Sequence, residues 1–171
     1  FDCAVRAGYM ATYFGHTLPL ILGTDVSGVI EEVGPGVTSF SAGDAVYTRS
    51  GVVRDGAYAE YALVQASDVT AKPKSLDHIH AAALPHVALT AWQALFELAN
   101  LTKGQTVLIH GAAGGVGHIA AQLAKARGAR VIGTASKNCD MLESLGVDQA
   151  IDYTTTAFEN SVRKVDVVHD T

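Results

Sequence analysis

The pattern of apolar and polar positions changes character near residue 87. Downstream, short apolar runs alternate with stretches of helical spacing. Residues 106–110 (TVLIH) form a brief aliphatic and β-branched run, the pattern of a strand buried on both faces of a parallel sheet. Over 116–127, Ile119, Leu123 and Ala126 recur at helical spacing, with Lys125 and Arg127 on the wetter side and Gly128 placed to stop the helix. Residues 130–135, 149–153 and 165–169 read as further strands, and 139–145 and 157–163 as helices. Such alternation predicts an α/β fold with a parallel sheet and right-handed crossovers.

Upstream, the period shortens. Residues 28–33, 44–48, 56–64 and 69–71 read as short strands, punctuated by the turn signals Gly34-Pro35-Gly36 and Gly43-Asp44. Many short strands with glycine turns predict a small barrel or sandwich. Residues 75–100 join the two halves as helix. Ser75 or Asp77 can cap its start, Pro85 breaks it, and Thr90–Leu98 carries on with Trp92, Leu95 and Phe96. The expected domains are 1–87 and 88–171, with the hinge in this helical stretch.

The chemistry concentrates between the strand at 106–110 and the helix after it. Ala112, Ala113, Gly114, Gly115, Val116 and Gly117 form a glycine-rich turn in the strand–turn–helix setting that dinucleotide binding requires. Gly114 lets backbone approach a pyrophosphate, Gly117 lets the helix pack close, and the helix start offers N–H groups to phosphate. The first fingerprint position holds Ala112 instead of glycine. A NAD site usually carries an acid at the end of the next strand, about 20 residues on, to hold the ribose 2′-hydroxyl. Here that end reads Ser136-Lys137-Asn138, a hydroxyl, a cation and an amide, which suit a 2′-phosphate. The expected cofactor is NADPH.

Composition narrows the partners. The 171 residues are 49% hydrophobic with a net charge of −5, and no basic run marks a nucleic-acid or anionic-membrane surface. No apolar stretch is long enough for a transmembrane helix. Cys3 and Cys139 lie far apart without metal-type spacing, as in a cytoplasmic protein with reduced thiols. Cys139, close to Lys137 and a helix start, could have a lowered pKa, although a bland helix residue is the favoured reading.

Residues 104–125, GQTVLIHGAAGGVGHIAAQLAK, resemble the signature of the quinone oxidoreductase/zeta-crystallin group of the medium-chain dehydrogenase/reductase superfamily. Upstream pieces resemble the same superfamily: Val5-Arg6-Ala7-Gly8, Leu22–Gly28, Gly43–Val46 and Gly56–Tyr61. The resemblance implies a partial Rossmann-type parallel sheet preceded by a partial GroES-like β-barrel domain. It also implies a chain cut at both ends, lacking the start of the first domain and most of the second half of the nucleotide domain.

For the site, the resemblance implies reduction of a quinone or α,β-unsaturated carbonyl by NADPH without metal, in a homodimer. Thr24 stands where zinc-dependent relatives carry a histidine ligand, and His86 aligns with their third ligand position. A single histidine near one carboxylate is not a zinc site. Thr90, in Leu89-Thr90-Ala91, is implied beside the nicotinamide amide, and Tyr153 beside the 2′-phosphate. Proton or hydrogen-bond donors to the substrate are few: Tyr9, Tyr13 and His86, each with a packing alternative. His78 and His80 read as surface, His110 as structural, and His118 as neutral at a helix start. Two rivals remain: a non-catalytic NADPH-binding protein of the crystallin kind, and a zinc-dependent alcohol dehydrogenase.

Overall fold

The computed structural model describes residues 1–15, 18–51 and 56–170. The chain divides into two compact units, Phe1–His86 and Val87–Thr171.

The first unit opens with two short helices, α1 (Asp2–Arg6) and α2 (Ala11–Phe14), followed by strands β1 (Asp25–Val29), β2 (Ala45–Arg49) and β3 (Thr70–Ala71). The three strands form an antiparallel sheet in the order β1-β2-β3, with Asp25 opposite Arg49 and Val29 opposite Ala45. Among the described residues this sheet is open and does not close into a barrel. The strand expected over 28–33 ends at Val29, although Ile30 still exchanges hydrogen bonds with the loop before β2.

The alternating run 56–64 forms no ladder. Its first residues donate instead to the preceding irregular segment, Gly56 to the Ile21 carbonyl and Tyr58 to that of Leu22. Gly56 packs so tightly on the Gly23 carbonyl that no side chain fits there. Beyond it Tyr58, Tyr61 and Leu63 stay exposed, so the alternation buries no face and earns no strand.

Helix α3 (His78–Ala82) is capped by Asp77, whose carboxylate accepts the His80 N–H at 2.8 Å; Ser75 plays no such part. Helix α4 (Pro85–Trp92) begins at the proline that was expected only to break a helix. Proline suits a first helical position, where its missing N–H would have had no partner. From Gln93 to Leu98 the winding loosens to π-type.

The second unit carries the parallel sheet. Strands β4 (Thr106–Ile109), β5 (Arg130–Ala135), β6 (Gln149–Asp152) and β7 (Val167–His169) lie in the order β6-β5-β4-β7, every neighbouring pair parallel. Helix α5 (Gly115–Arg127) joins β4 to β5, and α6 (Cys139–Ser144) joins β5 to β6. Expected helix 157–163 is only one tight turn, Phe158–Asn160.

Both sheet faces are covered, so alternate residues of each strand enter different cores. Val107, Ile109 and Val131 pack with Ala120, Ala121, Ala124, Leu142, Leu95 and Leu101. Leu108, Ile132 and Ile151 pack on the opposite side with Phe158, Val162 and Val165. The chain leaves β4 toward β5 on one side and returns to β7 on the other. That reversal makes the carboxyl ends of β4 and β7 a topological switch point, the usual place for a ligand in such sheets.

Candidate functional site

The turn after β4 stands at this switch point. Gly111 takes a left-handed φ of +59°, and Ala112, fully buried, donates its N–H to the Thr134 carbonyl of β5 at 2.9 Å. The turn is therefore pinned to two strands. Gly114 donates to Gly111 and serves as N-cap of α5 with no side-chain cap. By helix geometry the first N–H groups of α5 lack intrahelical acceptors, and the 13-residue helix directs its positive end toward them.

Space around the turn explains its composition. A Cβ on Gly117 would collide with the Gly111 carbonyl and sit 2.7 Å from Ala112 Cα. A Cβ on Gly133 in β5 would lie 2.8 Å from Ala112 Cβ. Ala113 and Val116 are half-buried, while Gly114 and Gly115 are exposed. A phosphate-sized acceptor thus meets bare backbone, which is the cradle a dinucleotide needs.

His118, on the first turn of α5, bonds through Nδ1 to the Gly114 carbonyl at 2.8 Å. Because a carbonyl only accepts, Nδ1 carries the proton, and the ring can do so while neutral. His110, at the strand end, bonds Thr134 through Nδ1 and stands edge-on to Phe158. His169 is buried on β7 with Nε2 shielded from solvent and without a hydrogen-bond partner among the described residues; burial pushes its pKa down.

The far strand ends hold the other nucleotide candidates. Ser136, Lys137 and Asn138 are exposed, with Asn138 at a left-handed φ of +61° where α6 begins. Tyr153 is half-exposed and donates its N–H to Ala135, which keeps it at the same end of the sheet. Sequence reasoning missed Asp152. It pairs with Ala135 in register, so an acid does stand at this sheet end, on β6 instead of β5. Its carboxylate accepts both the N–H and the hydroxyl of Thr154, which hold its pKa below the ordinary value. Cys139 behaves as the bland helix residue favoured from sequence. Burial and the charges of Asp152, Asp140 and Glu143 push its thiol up.

Thr90 is an exposed residue of α4. Trp92, two residues on, is grouped with Phe96 and with Arg127, the last residue of α5. The glycine turn lies at the other end of that helix, about 18 Å of axis away.

In the first unit, polar side chains converge on His86. Asp25 accepts the His86 backbone N–H at 2.7 Å and the Thr24 hydroxyl at 3.2 Å. Arg49 Nε donates to His86 Nδ1 at 3.0 Å, and Ser50 donates to the Thr24 carbonyl. Arg49 and Ser50 were not singled out from sequence; only their distance in the chain from His86 hid them. Tyr9 and Tyr13 are strongly exposed, at 76% and 82%, and take no part in this network. His78, expected at the surface, is half-buried and bonded to the Ser27 hydroxyl at 2.8 Å. Among the described residues, no three His, Cys, Asp or Glu side chains group as a metal site would require.

Residues 1–74 match the alcohol dehydrogenase GroES-like domain family, and residues 115–171 match the zinc-binding dehydrogenase family. The two matches fall on the two units in the order this superfamily uses. The chain belongs to the medium-chain dehydrogenase/reductase superfamily. Within this superfamily it is similar to the mouse mitochondrial NAD(P)H oxidoreductase RTN4IP1, at 40% identity over 96% of this chain and 46% of the relative. Among solved structures it is similar to the quinone oxidoreductase from Coxiella burnetii, with a TM-score of 0.88 and 40% identity over 98% of this chain and 54% of that one. It also resembles the Escherichia coli quinone oxidoreductase solved with NADPH, with a TM-score of 0.81 and 32% identity over 94% and 48% of the two chains. The chain thus spans about half the length of the curated relatives it matches. No helix among the described residues is long and apolar enough to cross a membrane.

Proposed function

We propose that this chain contributes to an NADPH-dependent oxidoreductase that reduces quinones or α,β-unsaturated carbonyls without metal. The observation that carries this reading is the bare backbone cradle at the start of α5, where Gly117 has no room for a side chain. The names of the relatives, quinone oxidoreductases and an NAD(P)H oxidoreductase, support the same chemistry.

NADPH, when bound, supplies the hydride. The residues of this chain bind, orient and polarise. Ala112, Ala113, Gly114, Gly115, Val116 and Gly117 hold the pyrophosphate on the helix start. Ser136, Lys137, Asn138 and Tyr153 address the 2′-phosphate, and Thr90 orients the nicotinamide amide. An electrophile of this class gathers negative charge on its carbonyl oxygen, so a donor must face that atom. Of the three candidates, His86 has the best-supported ring, and Tyr9 and Tyr13 are the more exposed alternatives. The zinc-free part of the reading rests on Thr24, a hydroxyl already bonded to Asp25 where the zinc-dependent relatives carry an imidazole. The proposal extends to a homodimer in the cytoplasm, with neither nucleic acid nor membrane as partner.

Titration with NADPH and NADH separately, read by nicotinamide emission, tests the cofactor. Tighter binding of NADPH is expected, by about tenfold or more, each decade being ~1.4 kcal/mol. Lys137→Glu should abolish that preference while leaving NADH binding in place. Equal affinities in the parent chain would defeat the 2′-phosphate assignment and turn attention to Asp152, whose free acceptor capacity suits a 2′-hydroxyl.

A further inference from the structure

We propose that Arg49 is a positioning residue, holding the His86 imidazole in its Nε2–H tautomer so that His86 is a neutral N–H donor to a substrate carbonyl oxygen. The donor role rests on the functional reading above; the tautomer does not.

The network is asymmetric in a telling way. Asp25 and Arg49 lie directly opposite each other across the β1–β2 ladder, where opposite charges ordinarily pair. Here both address the same residue. The Asp25 carboxylate takes the His86 backbone N–H, an orphan donor in the first turn of α4, and so fixes where the helix starts. The Arg49 guanidinium, which has only donors, spends its Nε–H on His86 Nδ1 at 3.0 Å. Nδ1 must therefore present its lone pair, and the neutral ring carries its hydrogen on Nε2. The Pro85 ring immediately before restricts the backbone further. Backbone and ring of one half-buried histidine are thus fixed from three chain segments, 24–25, 49–50 and 85–86. Holding one ring nitrogen so that the other is defined is how an imidazole is prepared for a single proton role, and the wrong tautomer disables it.

Imidazole nitrogen shifts of the 15N-histidine-labelled chain report the tautomer directly. The expected spectrum of His86 has an unprotonated Nδ1 and a protonated Nε2, and Arg49→Met brings in a detectable Nδ1–H population that Arg49→Lys largely suppresses. A protonated Nδ1 in the parent chain, or a spectrum that Arg49→Met leaves untouched, overturns the role of Arg49.

The donor role is read in the dead-end mixture of protein, NADP+ and 2-cyclohexen-1-one, where no turnover occurs. The His86 Nε2 signal should move on adding the enone, and an unmoved signal with NADP+ bound overturns that role. If neither nucleotide binds, the functional reading falls, and the His86 donor with it, whereas the tautomer spectrum still decides Arg49 alone. Where turnover is measured, His86→Leu should lower kcat by about a hundredfold and His86→Gln, which keeps an N–H near the Nε2 position, by less. Arg49→Met should cost roughly tenfold alone and nothing further in the His86→Gln background. Additive losses in that pair would show that Arg49 acts elsewhere.

Discussion

At the scale of single residues, Gly117 shows how far a position can be specified by its surroundings. The Gly111 carbonyl and Ala112 backbone occupy the volume a Cβ would need. Gly117→Ala should destabilise the chain by about 1–3 kcal/mol, as forced overpacking does, and weaken nucleotide binding in parallel. Urea midpoints and the nicotinamide titration check both effects; unchanged values would mean the turn relaxes freely. His169 acts through charge. Burial lowers its folded pKa below 6.5, so the unfolded chain takes up the proton more readily. Its contribution is complete above that ordinary value and is lost as pH falls through the lowered one. Stability should therefore decline on acidification below about pH 6.5, and the decline should be shallower in His169→Leu, as measured by urea midpoints along a pH series.

At the scale of elements, the junction between α5, β5 and β6 is tied by one carboxylate. Asp148 accepts the Lys125 ammonium at 2.9 Å on both oxygens and the Val131 N–H at 2.7 Å. Burial would raise its pKa, but these partners together hold it below the usual value. The ion pair is partly exposed and contributes little, whereas the N–H bond anchors the start of β5. Asp148→Asn should thus cost under about 1 kcal/mol. Asp148→Ala, which also strands the Val131 donor, should cost about 1–3 kcal/mol. Equal losses in thermal or urea unfolding would assign the whole effect to charge.

The element scale also shows what the sequence could announce. Strands at 106–109 and 130–135 and the helix between them were legible because local pattern and burial agree on both faces of the sheet. The run 56–64 failed because alternation states a preference for a half-buried surface and this segment has none to cover. The helix at 157–163 failed because Phe158, Val162 and Val165 serve the sheet as packing plugs from an irregular segment. Pro85 was misjudged in the opposite direction, since a helix breaker in the interior is a helix starter at the first position. The glycine turn could be found from spacing alone. The Arg49–His86 bond joins positions 37 residues apart, a separation no local pattern encodes.

At the scale of the whole molecule, two units with different sheet types carry different kinds of site. The antiparallel unit assembles side chains from distant segments around His86, and the parallel unit offers backbone at the reversal of strand order. The family matches divide the chain in the same sense, GroES-like first and dehydrogenase second. The chain covers about half the length of its curated relatives.

The close approach of Gly133 to Ala112 constrains how such a sequence can drift. The methyl of Ala112 fills the space that would otherwise admit a side chain on β5. Gly133 is not free to gain a side chain while Ala112 keeps its methyl, so the two positions are coupled. Gly133→Ala should be damaging on its own and largely repaired by adding Ala112→Gly, which hands the same methyl from the turn to the strand. Unfolding midpoints of the two single variants and the double test this. A lineage that acquires a glycine at the first fingerprint position would thereby gain liberty at a strand residue 21 positions away.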